Sequence, residues 1–120
     1  HELLVQGVVP VVAHPERNLV FTADPLRLAA LVERGALCQV TAASLLGEAG
    51  RRARVAAEAL LADGLAHFVA SDAHSMTARP PRLAAARERV RKIWGQDAER
   101  GLFEANPRAL LADEEIPWSF

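Results

Sequence analysis

Two short polar clusters in this chain carry side chains suited to binding metals and phosphates. The first is His14-Pro15-Glu16-Arg17, directly after the apolar run Val8 to Ala13 (VVPVVA). The second is Ser71-Asp72-Ala73-His74, directly after Ala66 to Ala70 (AHFVA), with Arg79 five residues beyond His74. A spacing of two lets an extended segment point Asp72 and His74 to the same side. Imidazole together with carboxylate is the donor chemistry of divalent transition metals, and zinc, manganese and iron all remain open. Arginine beside such a site matches phosphate, because its planar fork pairs with two oxygens and stays charged. Each cluster alone is a modest signal. A histidine at a strand end is often a hydrogen-bonded structural group, and Ser-Asp is ordinary turn vocabulary. What favours a site is their placement at equivalent ends of different strands.

The elements that would position them alternate between apolar runs and amphipathic stretches. Val8 to Ala13 reads as a short buried strand, with Pro10 near its start where a missing N–H matters least. Asp24-Pro25 opens a helix that Gly35 closes. Leu37 to Thr41 is a second strand. Ser44 to Asp63 keeps mainly helical spacing, interrupted over Gly47 to Gly50 and ended by Gly64. Ala66 to Ala70 is a third strand, followed by a polar loop from Ser71 to Arg79. Pro80-Pro81 opens a helix to about Trp94, stopped by Gly95. A last helix covers about Gln96 to Ala105, and Asn106-Pro107 begins a short final turn through Leu111. Repeated βα units call for a parallel sheet with helices outside it, and functional groups then gather at the carboxyl ends of the strands. Three strands are too few to close a barrel, which takes about 250 residues. The expected fold is α/β, either half of a barrel or a small open sheet.

Composition narrows the classes of function. The chain has 120 residues, 51% hydrophobic and 24% charged, enough apolar material for a core, so disorder is excluded. Fourteen basic against fifteen acidic side chains leave a net charge of -1, which gives no reason to expect nucleic acid or an anionic membrane as partner. Lone Cys38 cannot form an internal disulfide, as befits a reducing compartment, so a cytoplasmic location is expected. No apolar run approaches the roughly 20 residues of a membrane span. The chain opens at His1 and its single Met is Met76, so it reads as a piece of a longer gene product.

The segments Gly7 to Asn18 (GVVPVVAHPERN), Gln39 to Gly50 (QVTAASLLGEAG) and Gly64 to Leu83 (GLAHFVASDAHSMTARPPRL), with Asn106-Pro107, carry a further signal through their order and spacing. Together they resemble the C-terminal half of the bacterial PHP-type (polymerase and histidinol phosphatase) protein-tyrosine phosphatases of capsule and exopolysaccharide biosynthesis. The resemblance implies that residues 1–120 are the C-terminal half of one PHP-type domain, part of a distorted (β/α)7 barrel with parallel strands and outer helices. It implies a cluster of manganese ions, other divalent metals being admissible. It also implies hydrolysis of phosphotyrosine on a polysaccharide-assembly tyrosine kinase by a metal-activated hydroxide. Carried over residue by residue, His14, Asp72 and His74 are metal ligands, while Arg17 and Arg79 contact the phosphate. The family's remaining ligands, a His-x-His pair among them, come from its N-terminal half. No His-x-His occurs in this sequence, whose other histidines are His1 and His67. A tyrosinate leaving group, with a pKa of about 10, departs without a strong general acid, and none is assigned.

Other residues read as structural. Cysteine-dependent tyrosine phosphatases need an Arg six positions after the Cys, but position 44 is Ser, and Cys38 lies within an apolar strand. His67 sits at the start of the third strand, at the opposite end from the site. Glu16 reads as a supporting or ion-pairing group rather than a ligand, and Ser71 is placed to orient Asp72. Arg52, Arg54, Arg82, Arg87, Arg89 and Arg91 interleave with Glu48, Glu58 and Glu88, as on a solvated helix face. Trp94, Phe103, Trp118 and Phe120 are packing aromatics, the last two also placed for a homo-oligomer contact. Asn106 before Pro107 reads as a helix N-cap. Two rivals stand beside the tyrosine phosphatase. One is a PHP-type phosphoesterase of small phosphate monoesters, and the other a non-catalytic half-barrel scaffold.

Overall fold

The computed structural model describes residues 9–71 and 79–120, with residues 79–82 described by backbone alone. Its centre is a parallel sheet of β1 (Val11–Ala13), β2 (Leu37–Thr41) and β3 (Phe68–Ala70), in that spatial order. The register pairs Val12 with Cys38 and Val40 with Val69. Parallel neighbours need crossovers, and helices supply them. After a 3-10 turn at Pro15–Arg17 come α1 (Leu19–Ala23) and α2 (Pro25–Glu33), which return the chain to β2. Then α3 (Ala42–Leu45) and α4 (Arg51–Ala62) lead to β3. Beyond β3 lie α5 (Arg79–Trp94), α6 (Gln96–Arg100), a π-turn at Gly101–Ala105 and α7 (Asn106–Leu111). The α/β architecture with parallel strands and packed helices is as expected. Among the described residues no helix is long and apolar enough to cross a membrane.

Strand alternation decides which face is covered. Cys38 and Val40 of β2 are fully buried. Val40 and neighbouring Val69 join Ala57 and Leu61 of α4, Ala86 and Val90 of α5, Ala98 of α6 and Leu102 in one core. The other face is less protected along β1. Leu37 and Gln39 are half-buried, and Val11 and Ala13 of β1 are exposed. Towards β3 the same face is closed, with Thr41 fully buried and Phe68 enclosed.

Several boundaries differ from expectation, each for a local reason. Val8 lies outside the described residues, and β1 begins at Val11. Pro10 precedes the strand, yet its carbonyl accepts the first rung from the Leu37 N–H (3.0 Å). The Asn18 side chain accepts from the Val20 and Phe21 N–H groups (2.9 and 3.3 Å), starting α1, a helix that the polar context of the first cluster conceals. Thr41, not Ser44, begins the helix after β2, because its hydroxyl accepts from the Ser44 N–H (3.3 Å).

The largest correction concerns Asn106, which is not an N-cap. Its backbone is helical (φ -69, ψ -45), and the π-turn carries it into the interior, where it is fully buried. There Nδ2 donates to the carbonyls of His67 (2.9 Å) and Trp118 (2.9 Å), and Oδ1 accepts from the Trp118 N–H (3.0 Å). Both amide protons and the amide oxygen are thus used. The clamp fastens the C-terminal segment beneath β3. Trp118 then lies so close over Gly101 that a Cβ there would collide with the indole ring. Nearby, Arg87 of α5 pairs with Glu99 and Glu104 and sits over the Phe103 ring, 5.6 Å from its centroid.

His67 has the structural role expected of it. Its N–H donates to the Cys38 carbonyl (2.9 Å), and its Nδ1 accepts from the Cys38 N–H (2.9 Å). The ring must be neutral, with its proton on Nε2, to serve as that acceptor. Burial lowers its pKa below the usual 6.5.

Two measurements test this lower region. Asn106→Ala leaves buried backbone groups unpaired, so urea denaturation should show a loss of roughly 2–4 kcal/mol. For His67, a depressed folded pKa means that the unfolded chain takes up a proton first as pH falls. Its contribution is intact above about pH 6.5 and declines below it. Denaturation at pH 7.5 and 5.0 should show that decline, and His67→Asn, which keeps an acceptor near Nδ1, should reduce it.

Candidate functional site at the carboxyl edge of the sheet

Beyond Ala13 the chain leaves the sheet abruptly. The His14 N–H still donates to the Gln39 carbonyl (2.7 Å), continuing the β1–β2 ladder by one rung. His14 itself then takes a left-handed conformation (φ 37, ψ 58), uncommon for a residue with a Cβ and costing about 1–2 kcal/mol. Pro15, with its fixed φ, opens the 3-10 turn, and the Arg17 N–H closes it onto the His14 carbonyl (3.0 Å). The outer residues of this turn, His14 and Arg17, are exposed, whereas Pro15 and Glu16 are buried.

That geometry leaves a vacant rung. In a regular parallel ladder the next bond would run from the Thr41 N–H to the His14 carbonyl, which is already engaged by Arg17. Glu16 substitutes for it. Its Oε2 accepts from the Thr41 N–H (3.1 Å) and the Thr41 hydroxyl (3.0 Å). Because the Thr41 proton is committed there, the Ser44 hydroxyl, 2.7 Å away, donates to Thr41 Oγ1. Glu16 Oε1 has no hydrogen-bond partner among the described residues, although the residue is only 3% exposed. The sequence reading of Glu16 as a supporting group fits this arrangement. The roles of Thr41 and Ser44 were missed, although a hydroxyl three residues before another at a strand-to-helix junction is a capping signal.

The third strand ends beside the same edge. Thr41 pairs with Ala70 in the register, so Ser71, half-buried, begins where β2 also ends. In the register His14 is level with Val40 and Val69, so His14 and Ser71 stand at the ends of the two outer strands, either side of β2. Asp72 and His74 lie outside the described residues. Arg79 is the first residue of α5, and its side chain is likewise not described. The structure thus places His14 and Arg17 together at the carboxyl edge and brings the start of the second cluster to it. Among the described residues no group of three or more His, Cys, Asp or Glu could hold a metal ion. The exposed imidazole at this edge is a donor suited to a borderline divalent cation.

Two other groups are placed away from the chemistry. Cys38 is fully buried, and burial, reinforced by the Glu16 carboxylate, pushes its thiol up to about 12. A nucleophilic cysteine requires the opposite shift. His67 lies at the amino end of the sheet, the far side from His14.

Comparison with known proteins places this site in context. The family model for capsular polysaccharide synthesis, CpsB/CapC, matches residues 1–112. The chain is 39% identical over 117 residues to CapC of Staphylococcus aureus, covering 97% of this chain and 45% of that protein. It is 37% identical over 116 residues to the tyrosine-protein phosphatase YwqE of Bacillus subtilis (strain 168), again covering 97% and 45%. It superposes with a TM-score of 0.89 and 35% identity on a chain from crystal structures of YwqE and of CpsB from Streptococcus pneumoniae, described as unique metal-dependent tyrosine phosphatases. That match covers 99% of this chain and 47% of the other. The chain therefore spans about half the length of the relatives it matches. With the family model running over most of its length, the chain belongs to the CpsB/CapC family of capsular polysaccharide synthesis.

Proposed function

We propose that this chain is the C-terminal half of a metal-dependent protein-tyrosine phosphatase domain of PHP type. The observation that carries this reading is the turn after β1, which buries its middle and offers His14 and Arg17 at the carboxyl edge of a parallel sheet. Parallel strands joined by helical crossovers support a place within a (β/α)7 barrel, whose remaining strands would extend this sheet. The substrate is phosphotyrosine on a tyrosine kinase of polysaccharide assembly, a reading supported by the family and by relatives named as tyrosine phosphatases.

In this reading His14, Asp72 and His74 hold divalent metal, with manganese preferred. When bound, such ions supply Lewis acidity and offset charge at the phosphoryl group. Arg17 and Arg79 bind the phosphate oxygens through their guanidinium forks and orient the ester. Their fixed positive charge is worth most as charge spreads over the transferring phosphoryl oxygens. Cys38 takes no part, because its buried thiol is held protonated.

The test is hydrolysis of a phosphotyrosyl peptide by the full gene product with Mn²⁺ and then with chelator. Activity should require metal and collapse in His14→Ala and Asp72→Ala. Arg17→Ala should lower kcat by about 10²–10³-fold, a loss typical of removing one charge-stabilising donor. Arg17→Lys should recover part of it, since lysine keeps the charge but loses the fork. Cys38→Ala should keep its turnover. Faster turnover of small phosphate monoesters than of the peptide would transfer the assignment to a small-molecule phosphoesterase. No turnover by folded, metal-loaded protein would leave the scaffold.

A further inference from the structure

We infer that Glu16 is a positioning residue, whose carboxylate holds the turn that presents His14 and Arg17. The inference deepens the phosphatase reading and rests on it for its metal-binding and kinetic parts. Three observations converge. The left-handed backbone at His14 diverts that residue's carbonyl from the sheet to the Arg17 N–H. The Thr41 N–H left behind is buried and needs an acceptor, and Glu16 Oε2 supplies it while also binding the Thr41 hydroxyl. Burial is then divided within the turn, with Glu16 enclosed at 3% exposure and His14 and Arg17 in the open.

A backbone rung would have continued β1 and aimed the next residues along the sheet. A side-chain rung lets the backbone turn away at once while β2 keeps its hydrogen bond. Glu16 reaches Thr41 across 25 positions of sequence, so the turn is fixed to β2 and not merely to its own neighbours. The other oxygen, Oε1, has no hydrogen-bond partner among the described residues. A carboxylate at this place favours positive charge at the adjacent edge. Glutamate rather than glutamine suits a turn whose exposed residues bind a cation and carry a guanidinium. Thr41 and Ser44 complete the support, since the Ser44 hydroxyl fixes the rotamer of the Thr41 hydroxyl.

The experiment compares the full chain with Glu16→Ala, Glu16→Gln and Thr41→Val. It reads amide exchange at Thr41, the three-bond coupling that reports the positive φ of His14, Mn²⁺ affinity by calorimetry, and KM and kcat on phosphotyrosyl peptide. Glu16→Ala should expose the Thr41 amide and abolish the positive φ. It should also weaken Mn²⁺ binding about 10–100-fold, the usual range for a lost supporting group, and raise KM. Glu16→Gln should restore the turn and KM, leaving Mn²⁺ affinity down by about tenfold for want of the charge. Thr41→Val, which keeps the N–H, should retain the turn. A folded Glu16→Ala protein with a protected Thr41 amide and an unchanged His14 coupling would overturn the inference. If Glu16→Ala does not fold, a Glu16→Gln protein that lacks the turn overturns it equally. Wild-type protein that shows the turn but hydrolyses no phosphotyrosine would refute the phosphatase reading alone.

Discussion

The central strand β2 is hydrogen-bonded beyond both points at which its neighbours cease to be strands, and the rest of the structure depends on that. At its carboxyl end the Thr41 N–H is met by Glu16, and at its amino end the Cys38 N–H is met by His67. Neither acceptor is a backbone carbonyl. Each is a buried side chain from the segment flanking an adjacent strand. The strands beside β2 are three residues long, too short to satisfy it by ladder bonds alone. The buried backbone donors of a five-residue strand must all find acceptors. Side-chain rungs meet that demand while freeing the adjacent backbone to turn.

The two ends use this device differently. At the amino end His67 is itself enclosed by further hydrogen bonding, because its carbonyl accepts from Asn106 and Asn106 in turn holds Trp118. Segments distant in sequence are thereby drawn under one strand end, with every polar group of the amide satisfied. At the carboxyl end the enclosure is partial. Glu16 has one oxygen in use and one without a partner among the described residues, and its neighbours in the turn are exposed. One end is closed by the amide clamp, and the other leaves His14 and Arg17 exposed.

Much of this was legible in the sequence, for physical reasons. The alternation of apolar runs with amphipathic stretches specifies the parallel sheet, since βα repeats admit few other solutions. Gly35, at φ 105, ends α2 as a residue without a Cβ can. His14, Arg17 and Glu16 were identifiable because polar side chains directly after a strand stand at its carboxyl end. Asn106 was misread because Asn-Pro is a common helix opening, and the π-turn that rotates it inward leaves no compositional mark. The helix at Leu19–Ala23 was hidden for a related reason. Its Leu19 and Val20 are exposed, so it lacks the one-sided apolar stripe by which helices are recognised.

The clamp at Asn106 has an evolutionary consequence. Because the amino-end contacts that secure the chain share no residue with the turn carrying His14 and Arg17, substitutions at the two ends act through separate sets of positions. Substitutions that strengthen the packing of Trp118 over Gly101 leave the opposite edge free to diversify. A scaffold partitioned in this way can accumulate changes at one edge without surrendering the margin that keeps it folded.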